Sequence, residues 1–343
     1  MLMLLFLWTK PLPTFVCPQV AGRCARSNLS GRLPSGSDTS LMRSGPSVAQ
    51  LVATVLVALA LALTACASIG SNDLTMGKRS LLHGNYAGAV DDFTSAIAKD
   101  PKGGEAYALR GYAKFQSGNV DGALSDLDVA VNAGPDRNPE YSLTFVFRSV
   151  AKAAKGDLEG AIADCSEGIA FKPDVKELAS LYHARANMHF RKGNYDAAIV
   201  DLRRTQAIVK EAWTLVAIQV ELSYSELALG HSDRALAEAN SAIVLKENFS
   251  RAYVVRALAY RQKGDADRAL KDATKAMLLA GSNSGSTDDY EARGLGDLLS
   301  GDSVAAVSKW EKVRPTGYRG FWDLFDWTFI QFKIDMAGKV ASE

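Results

Sequence analysis

Residues 104–137 read GEAYALRGYAKFQSGNVDGALSDLDVAVNAGPDR, and the spacing inside this stretch decides the fold. With Gly104 as position 1, Tyr107 stands at 4, Gly111 at 8, Gly118 at 15, Ala123 at 20, Leu127 at 24, Ala130 at 27 and Pro135 at 32. Small residues at 8, 20 and 27 let two antiparallel helices approach closely. Gly118 suits the turn between them because glycine tolerates positive φ. Pro135 ends the second helix. The stretch therefore predicts a helical hairpin.

The hairpin is not alone. A glycine followed five residues later by alanine occurs at Gly84/Ala89, Gly118/Ala123, Gly156/Ala161, Gly193/Ala198, Gly230/Ala235, Gly264/Ala269 and Gly301/Ala306. Successive alanines are 34, 38, 37, 37, 34 and 37 residues apart. Such a period marks stacked supersecondary units. The first repeat adds Gly77, Phe93, Ala96 and Pro101, and the third Phe145, Ser149, Cys165, Gly168 and Pro173. The fourth carries Tyr182, Ala186 and Leu202 but departs at Thr205 and Lys210, and the fifth has Gln219 at position 4. Tyr253, Ala257 and Ala276 mark the sixth, and Tyr290, Gly294 and Trp310 the seventh. This pattern resembles the tetratricopeptide (TPR) family, whose repeat is a 34-residue helical hairpin. The resemblance covers residues 70–315 and implies an all-α superhelical solenoid of about seven hairpins, followed by an aromatic-rich C-terminal helix within 316–343. Extra residues fall near Asn138–Tyr141, Lys176–Leu178, Trp213–Leu215 and Ser284–Ser286, and are expected in loops between hairpins.

A charge pattern runs at one phase through the repeats. Position 7 is arginine at Arg110, Arg148, Arg185, Arg256 and Arg293; position 23 is acidic at Asp92, Asp126, Asp164, Asp201, Glu238 and Asp272. Matched signs at a fixed phase read as a structural ladder of ion pairs. Pairing each acid with the arginine of the following repeat leaves no arginine unpaired and only Asp201 without a partner. An inter-repeat ladder is therefore expected, fixing stacking register more than adding stability.

The N-terminal region is of another kind. Leu51–Leu63 is an apolar run ending in Thr64-Ala65-Cys66. It is short for a membrane span and ends in small residues, as a secretory signal does. Leu63-Thr64-Ala65-Cys66 resembles a bacterial lipobox, which implies cleavage before Cys66 and acylation of that cysteine. Residues 42–65 are expected to be the signal peptide, with Met42-Arg43 as its basic start, and 66–73 a lipid-anchored linker. Residues 1–41 are expected to be a spurious extension of the gene start. By the same resemblance, Ala67 rather than aspartate after the cysteine implies outer-membrane sorting, with the protein facing the periplasm. Residues 1–65 hold five basic residues and one acid, leaving 34 basic and 37 acidic residues in the rest of the chain. That balance offers no electrostatic footprint for nucleic acid.

No catalytic constellation stands out, no cofactor is expected, and no metal site. His83, His183, His189 and His231 lack metal-ligand spacing. Ser149-Val-Ala-Lys152 matches the S-x-x-K of serine acyltransferases, but Ser149 fills position 8, where the repeat needs a small residue. Cys165 reads as a small core residue.

Binding is the better expectation. The resemblance places helix-A positions 2, 5, 9, 12 and 13 on the concave face. These are Tyr112, Phe115 and Gln116; His183, Asn187, Phe190 and Arg191; Tyr224; and Arg251, Arg261 and Gln262. Aromatic anchors among amides and arginines suit an extended peptide or a partner helix. Asn187 matches the asparagine of the family's two-carboxylate clamp, but His183 and Glu221 depart from the rest of it. The expected function is a non-catalytic interaction scaffold lipid-anchored at the bacterial envelope, with an envelope protein or peptide as partner. The alternative is an envelope enzyme or its subunit, for example in cell-wall remodelling.

Phe321–Val340 reads as one helix, with Phe321, Phe325, Phe329 and Phe332 on one face and Trp327, Ile330 and Ile334 on a second. The phenylalanine face is expected on the seventh repeat. Trp322, Trp327 and Ile330 are expected to meet a second copy, giving a homodimer, or the membrane surface; the alternative is that the helix lies back across the solenoid and buries both faces internally.

Overall fold

The computed structural model describes residues 73–138, 141–281, 287–313 and 321–342, all within one compact unit, Gly70–Glu343. The expected signal, Cys66 and most of the linker lie outside the described residues. Fifteen α-helices are present among the described residues: α1 (73–82), α2 (Tyr86–Lys99), α3 (Gly104–Gln116), α4 (Val120–Asn132), α5 (Tyr141–Ala154), α6 (Leu158–Ala170), α7 (Val175–Arg191), α8 (Tyr195–Ile208), α9 (Ala212–Ala228), α10 (Ser232–Leu245), α11 (Ser250–Gln262), α12 (Ala266–Ala280), α13 (Thr287–Leu299), α14 (Ser303–Glu311) and α15 (Phe321–Ser342). The first fourteen form seven hairpins, each packed on the next, as a solenoid requires. None of the described helices is long and apolar enough to cross a membrane.

Each hairpin turns at its position-15 glycine, where φ runs from 70° at Gly84 to 91° at Gly301. In five hairpins an Asn or Asp at the next position caps the second helix, as where Asn119 accepts from the Gly122 amide at 2.9 Å and Asp157 from Gly160 at 2.8 Å; Asn194 and His231 make no such bond. The alanines at position 20 are fully buried in all seven hairpins. Positions 8 and 24 face each other and trade volume. Glycine at 8 lies under the largest side chains at 24: Gly77 under Phe93, Gly111 under Leu127 and Gly294 under Trp310. A Cβ on Gly77 would lie 2.5 Å from the Phe93 ring, and one on Gly111 2.8 Å from Leu127 Cγ. Burying the Phe93 ring stabilises the first hairpin by about 2–3 kcal/mol.

Two of the expected insertions are not loops. Lys176–Leu178 and Trp213–Leu215 lie inside α7 and α9, which have 17 residues against 13 in α3 and α11. The extra residues extend each helix at its N-terminal end by about one turn, so the repeat positions that follow keep their phase. Ser284–Ser286 falls outside the described residues.

The ion-pair ladder also differs from expectation: it runs within hairpins. Arg110 grips Asp126 with two bonds of 2.8 Å, Arg148 grips Asp164 at 3.0 and 2.7 Å, Arg185 grips Asp201 at 2.7 and 2.9 Å, and Arg256 grips Asp272 at 2.7 Å twice. Each fork lies on the ring of its position-4 aromatic, with guanidinium carbons 5.4 Å from Tyr107, 5.6 Å from Phe145, 5.6 Å from Tyr182 and 5.3 Å from Tyr253. The physical reason is facing. Position 23 looks across its own hairpin and cannot also look at the next. Position 25, about 200° further round the helix, does. The third nitrogen of each fork, Nη1, donates to it: Arg110 to Thr94 at 3.1 Å, Arg148 to Asp128 at 3.1 Å, Arg185 to Ser166 at 3.0 Å and Arg256 to Asn240 at 2.8 Å.

The acids and arginine left over by this register find other partners. Asp92 accepts from Ser80 Oγ at 2.9 Å, Glu238 pairs with Arg203, and Arg293 pairs with Asp289 on its own helix. The seventh hairpin reverses the signs, with Lys309 at position 23 paired to Asp297.

Double-mutant cycles measured by chemical denaturation check the register. Arg110→Ala and Asp126→Ala should couple by about 1–3 kcal/mol, Arg110→Ala and Asp92→Ala should be additive, and Thr94→Ala should cost about 0.5–1 kcal/mol.

Candidate binding groove

The concave-face residues fall into three groups. Near the first hairpins, the Tyr112 ring packs 4.7 Å from Phe147, and Gln116 Nε2 donates to Tyr112 Oη at 2.6 Å. Phe115 is buried beside them, and burial pushes the Tyr112 phenol well above its usual range. This group is a satisfied aromatic–amide cluster.

The middle group lies on α7 and α9. His183 Nε2 is 2.8 Å from Glu221 Oε2, so the acid that departs from the clamp pattern is the partner of the histidine that departs from it. Burial acts to lower the His183 pKa, but the Glu221 charge and hydrogen bond outweigh it, and the net shift is upward. Asn187, Phe190 and Tyr224 meet α15. Phe190 lies 4.8 Å from Phe329 and 5.6 Å from Phe332; Tyr224 stacks on Phe329 at 5.0 Å and 24° and meets Phe332 edge-on at 6.1 Å. Thr328 Oγ1 donates to Asn187 Oδ1 at 3.4 Å.

The third group is cationic and polar. Arg251 Nε donates to Asp288 at 3.1 Å and lies 3.7 Å from Glu291; Arg191 donates to the Ala153 carbonyl at 3.2 Å. Arg261 is half-buried. Gln262, exposed, accepts from Ser232 at 2.7 Å and donates to the Leu227 carbonyl at 3.3 Å.

The helix that fills the groove is the C-terminal one. α15 packs beside α14 and reaches back to α7 and α5. Phe329 and Phe332 therefore pack on the fourth and fifth hairpins, where the seventh was expected, and the side chains of Phe321 and Phe325 lie outside the described residues. Ile330, expected on a face left for another molecule, is 1% exposed and joins the core that includes Trp310 and Ala337. The side chains of Trp322 and Trp327 lie outside the described residues. Two residues that sequence reasoning did not name complete the site: Lys333 Nζ is 3.2 Å from Glu291 Oε1 and 3.4 Å from Tyr224 Oη. Their signals were present: Glu291 occupies concave position 5 of the seventh repeat, and Lys333 is the lone basic residue between Phe321 and Gly338.

The sequence matches to enzyme chemistry have structural uses. Ser149 is buried with Oγ donating to the Val146 carbonyl at 2.8 Å, while Lys152 turns to Asp164 at 2.9 Å. Burial pushes the Cys165 thiol up to about 12, away from thiolate reactivity. Among the described residues, no three His, Cys, Asp or Glu side chains are grouped to hold a metal ion.

Tetratricopeptide-repeat family descriptions match residues 80–144 and 220–285. The chain carries tetratricopeptide repeats. No curated protein sequence matches it. Among solved structures, a TPR protein from Parabacteroides merdae is similar at 17% identity, covering 79% of this chain and 99% of that one, with a TM-score of 0.56. The Cut9–Hcn1 hetero-tetramer of the APC/C is similar at 19% identity and a TM-score of 0.53, covering 67% of this chain. This chain spans 42% of that longer one. The type IV pilus biogenesis factor PilW is similar at 13% identity and a TM-score of 0.55, covering 63% of this chain and 96% of its own. At these identities the TPR likeness is one of fold alone.

The His183–Glu221 pair sets a pH dependence. A histidine whose folded pKa is raised contributes stability that is full below its unfolded value, about 6.5, and is lost as pH rises through the folded value. The Tm gap between the natural protein and His183→Gln should therefore be widest near pH 5.5 and narrow steadily toward pH 9, read by calorimetry.

Proposed function

We propose that this TPR protein is a non-catalytic interaction scaffold, lipid-anchored through Cys66 at the bacterial envelope, that receives a peptide or partner helix on its concave face. TPR proteins are in general protein–protein interaction scaffolds. The observation that carries the reading is the aromatic platform of Phe190 and Tyr224, which already accepts the side chains of a helix. Helix-in-groove recognition works through such spaced anchors, and buried aromatics dominate interface energetics. The ionisable groups around the platform are held in pairs, His183 with Glu221 and Lys333 with Glu291. This arrangement favours recognition over acid–base chemistry.

The envelope part of the proposal rests on sequence: the apolar run ending at Leu63–Cys66 and the short linker after it. The seven residues from Ala67 to Asp73 reach at most about 25 Å, so the array would sit close to the bilayer. Ala67 supports sorting to the outer membrane, facing the periplasm. The partner would be an envelope protein or peptide, or a second copy of the chain.

Two measurements test the proposal. Cys66→Ala should move the protein from the membrane to the soluble fraction and abolish lipid labelling; unchanged attachment would remove the anchor. Affinity capture of the detergent-solubilised protein should retain a defined envelope partner. Arg261→Ala should lower that retention at least tenfold without lowering the Tm, and unaltered retention would remove the concave face.

A further inference from the structure

The contact between α15 and the groove is chemically unlike a permanent cap. Lys333 is fully buried, 0% exposed, and Glu291 is 3% exposed. Taking both charges out of water carries a large desolvation cost, and the pair fixes register more than it adds stability. Release of the helix would return both charges to water. Glu291 would not be stranded, because Arg251 already lies 3.7 Å away and is held in place by Asp288.

Elsewhere the seam buries Ile330 and Ala337 in the apolar core, but one polar contact in it is poorly made. Thr328 and Asn187 meet at 3.4 Å, the long end of a hydrogen bond. Asn187 Nδ2, on a side chain 2% exposed, finds no acceptor among the described residues. Native cores leave few such groups. Against this seam stand two strong anchors. Phe329 and Phe332, three residues apart, each touch both Phe190 and Tyr224, and Lys333 follows directly, its Nζ 5.4 Å from the Tyr224 ring. Anchors at i and i+3 beside a cation are the pattern of a helix read by a groove.

We propose that α15 is an internal occupant of the groove formed by α7, α9 and α13, displaced by a partner helix presenting two aromatic side chains three residues apart followed at once by a cation. The inference rests on the groove reading above and adds the chemistry and regulation of the ligand. The free protein is closed, and the partner must outcompete a tethered helix whose local concentration is high.

The test uses the full chain and, as probe, a fluorescent synthetic peptide of residues 321–342. The natural protein should bind it weakly. In Lys333→Glu, Glu291 repels the chain's own helix, so the vacated groove should bind the peptide at least tenfold more tightly. The same variant carrying Glu291→Lys should close again and lose the peptide, and a peptide with its own lysine changed to glutamate should bind neither protein. Equal binding to the natural protein and Lys333→Glu, or binding to neither, would overturn the proposal. If Lys333→Glu fails to fold by circular dichroism, amide hydrogen exchange on the natural protein decides. Amides of α15 exchanging at least tenfold faster than those of α11 support displacement; equal protection overturns it. A concentration-dependent dimer of the natural protein, in which α15 exchanges between copies, would overturn the partner-helix assignment. Peptide binding that succeeds while no envelope partner is retained would overturn the scaffold reading alone.

Discussion

Two antiparallel helices that cross closely leave room for one bulky side chain between them, not two. That constraint shapes every hairpin in this chain. Position 20 is alanine throughout because the helices touch there. Positions 8 and 24 share one volume: glycine opposite Phe93, Leu127 and Trp310, and serine or alanine opposite Cys165, Leu202, Ala239 and Ala273. Interiors pack at crystal-like density, so a bulky residue at 24 is always met by a small one at 8. The hairpins keep one shape, and stacking one shape repeatedly yields a solenoid.

The arginine forks sit on this scaffold and depend on it. A hairpin of fixed width places position 7 opposite position 23 at hydrogen-bonding distance, with the position-4 ring beneath. The remaining N–H of the guanidinium then points to the preceding hairpin. Arginine suits the role because its planar fork offers several donors in fixed directions. One residue thus closes its own hairpin and ties it to the previous one. Where position 7 is Leu222, the tie is rebuilt from the other side, by Arg203 at position 25 of the fourth repeat reaching Glu238.

The hairpins, their turns and their number were legible in the sequence because helix contact restricts residue size at fixed positions, and size is what a sequence displays directly. The pairing of charges was not. Counting unpaired ions favoured the wrong register, since it ignored Ser80, Arg203 and Asp289, which satisfy Asp92, Glu238 and Arg293 locally. Facing decides such pairs, and facing differs between positions 23 and 25 by slightly more than a half-turn. The extra turns of α7 and α9 were hidden for a similar reason: residues added at the N-terminal end of a helix leave the phase of the following positions unchanged and make no break. The groove residues were readable as a set, because the concave positions are fixed by the repeat. Their occupant was not, because no periodicity links Lys333 to Glu291 or Phe329 to Phe190 across so much chain.

That long-range contact changes how the molecule should come apart. An open array of repeats has only nearest-neighbour interfaces, so its stability is a one-dimensional sum and its ends can fray independently. α15 joins the fourth and fifth hairpins directly to the far end of the chain through Phe190, Tyr224 and Glu291. The line of hairpins becomes a ring over its second half. Hairpins three to seven, which α15 touches at both ends, are thereby coupled beyond nearest neighbours while that helix is docked, and hairpins one and two keep the graded, zipper-like melting of an open array.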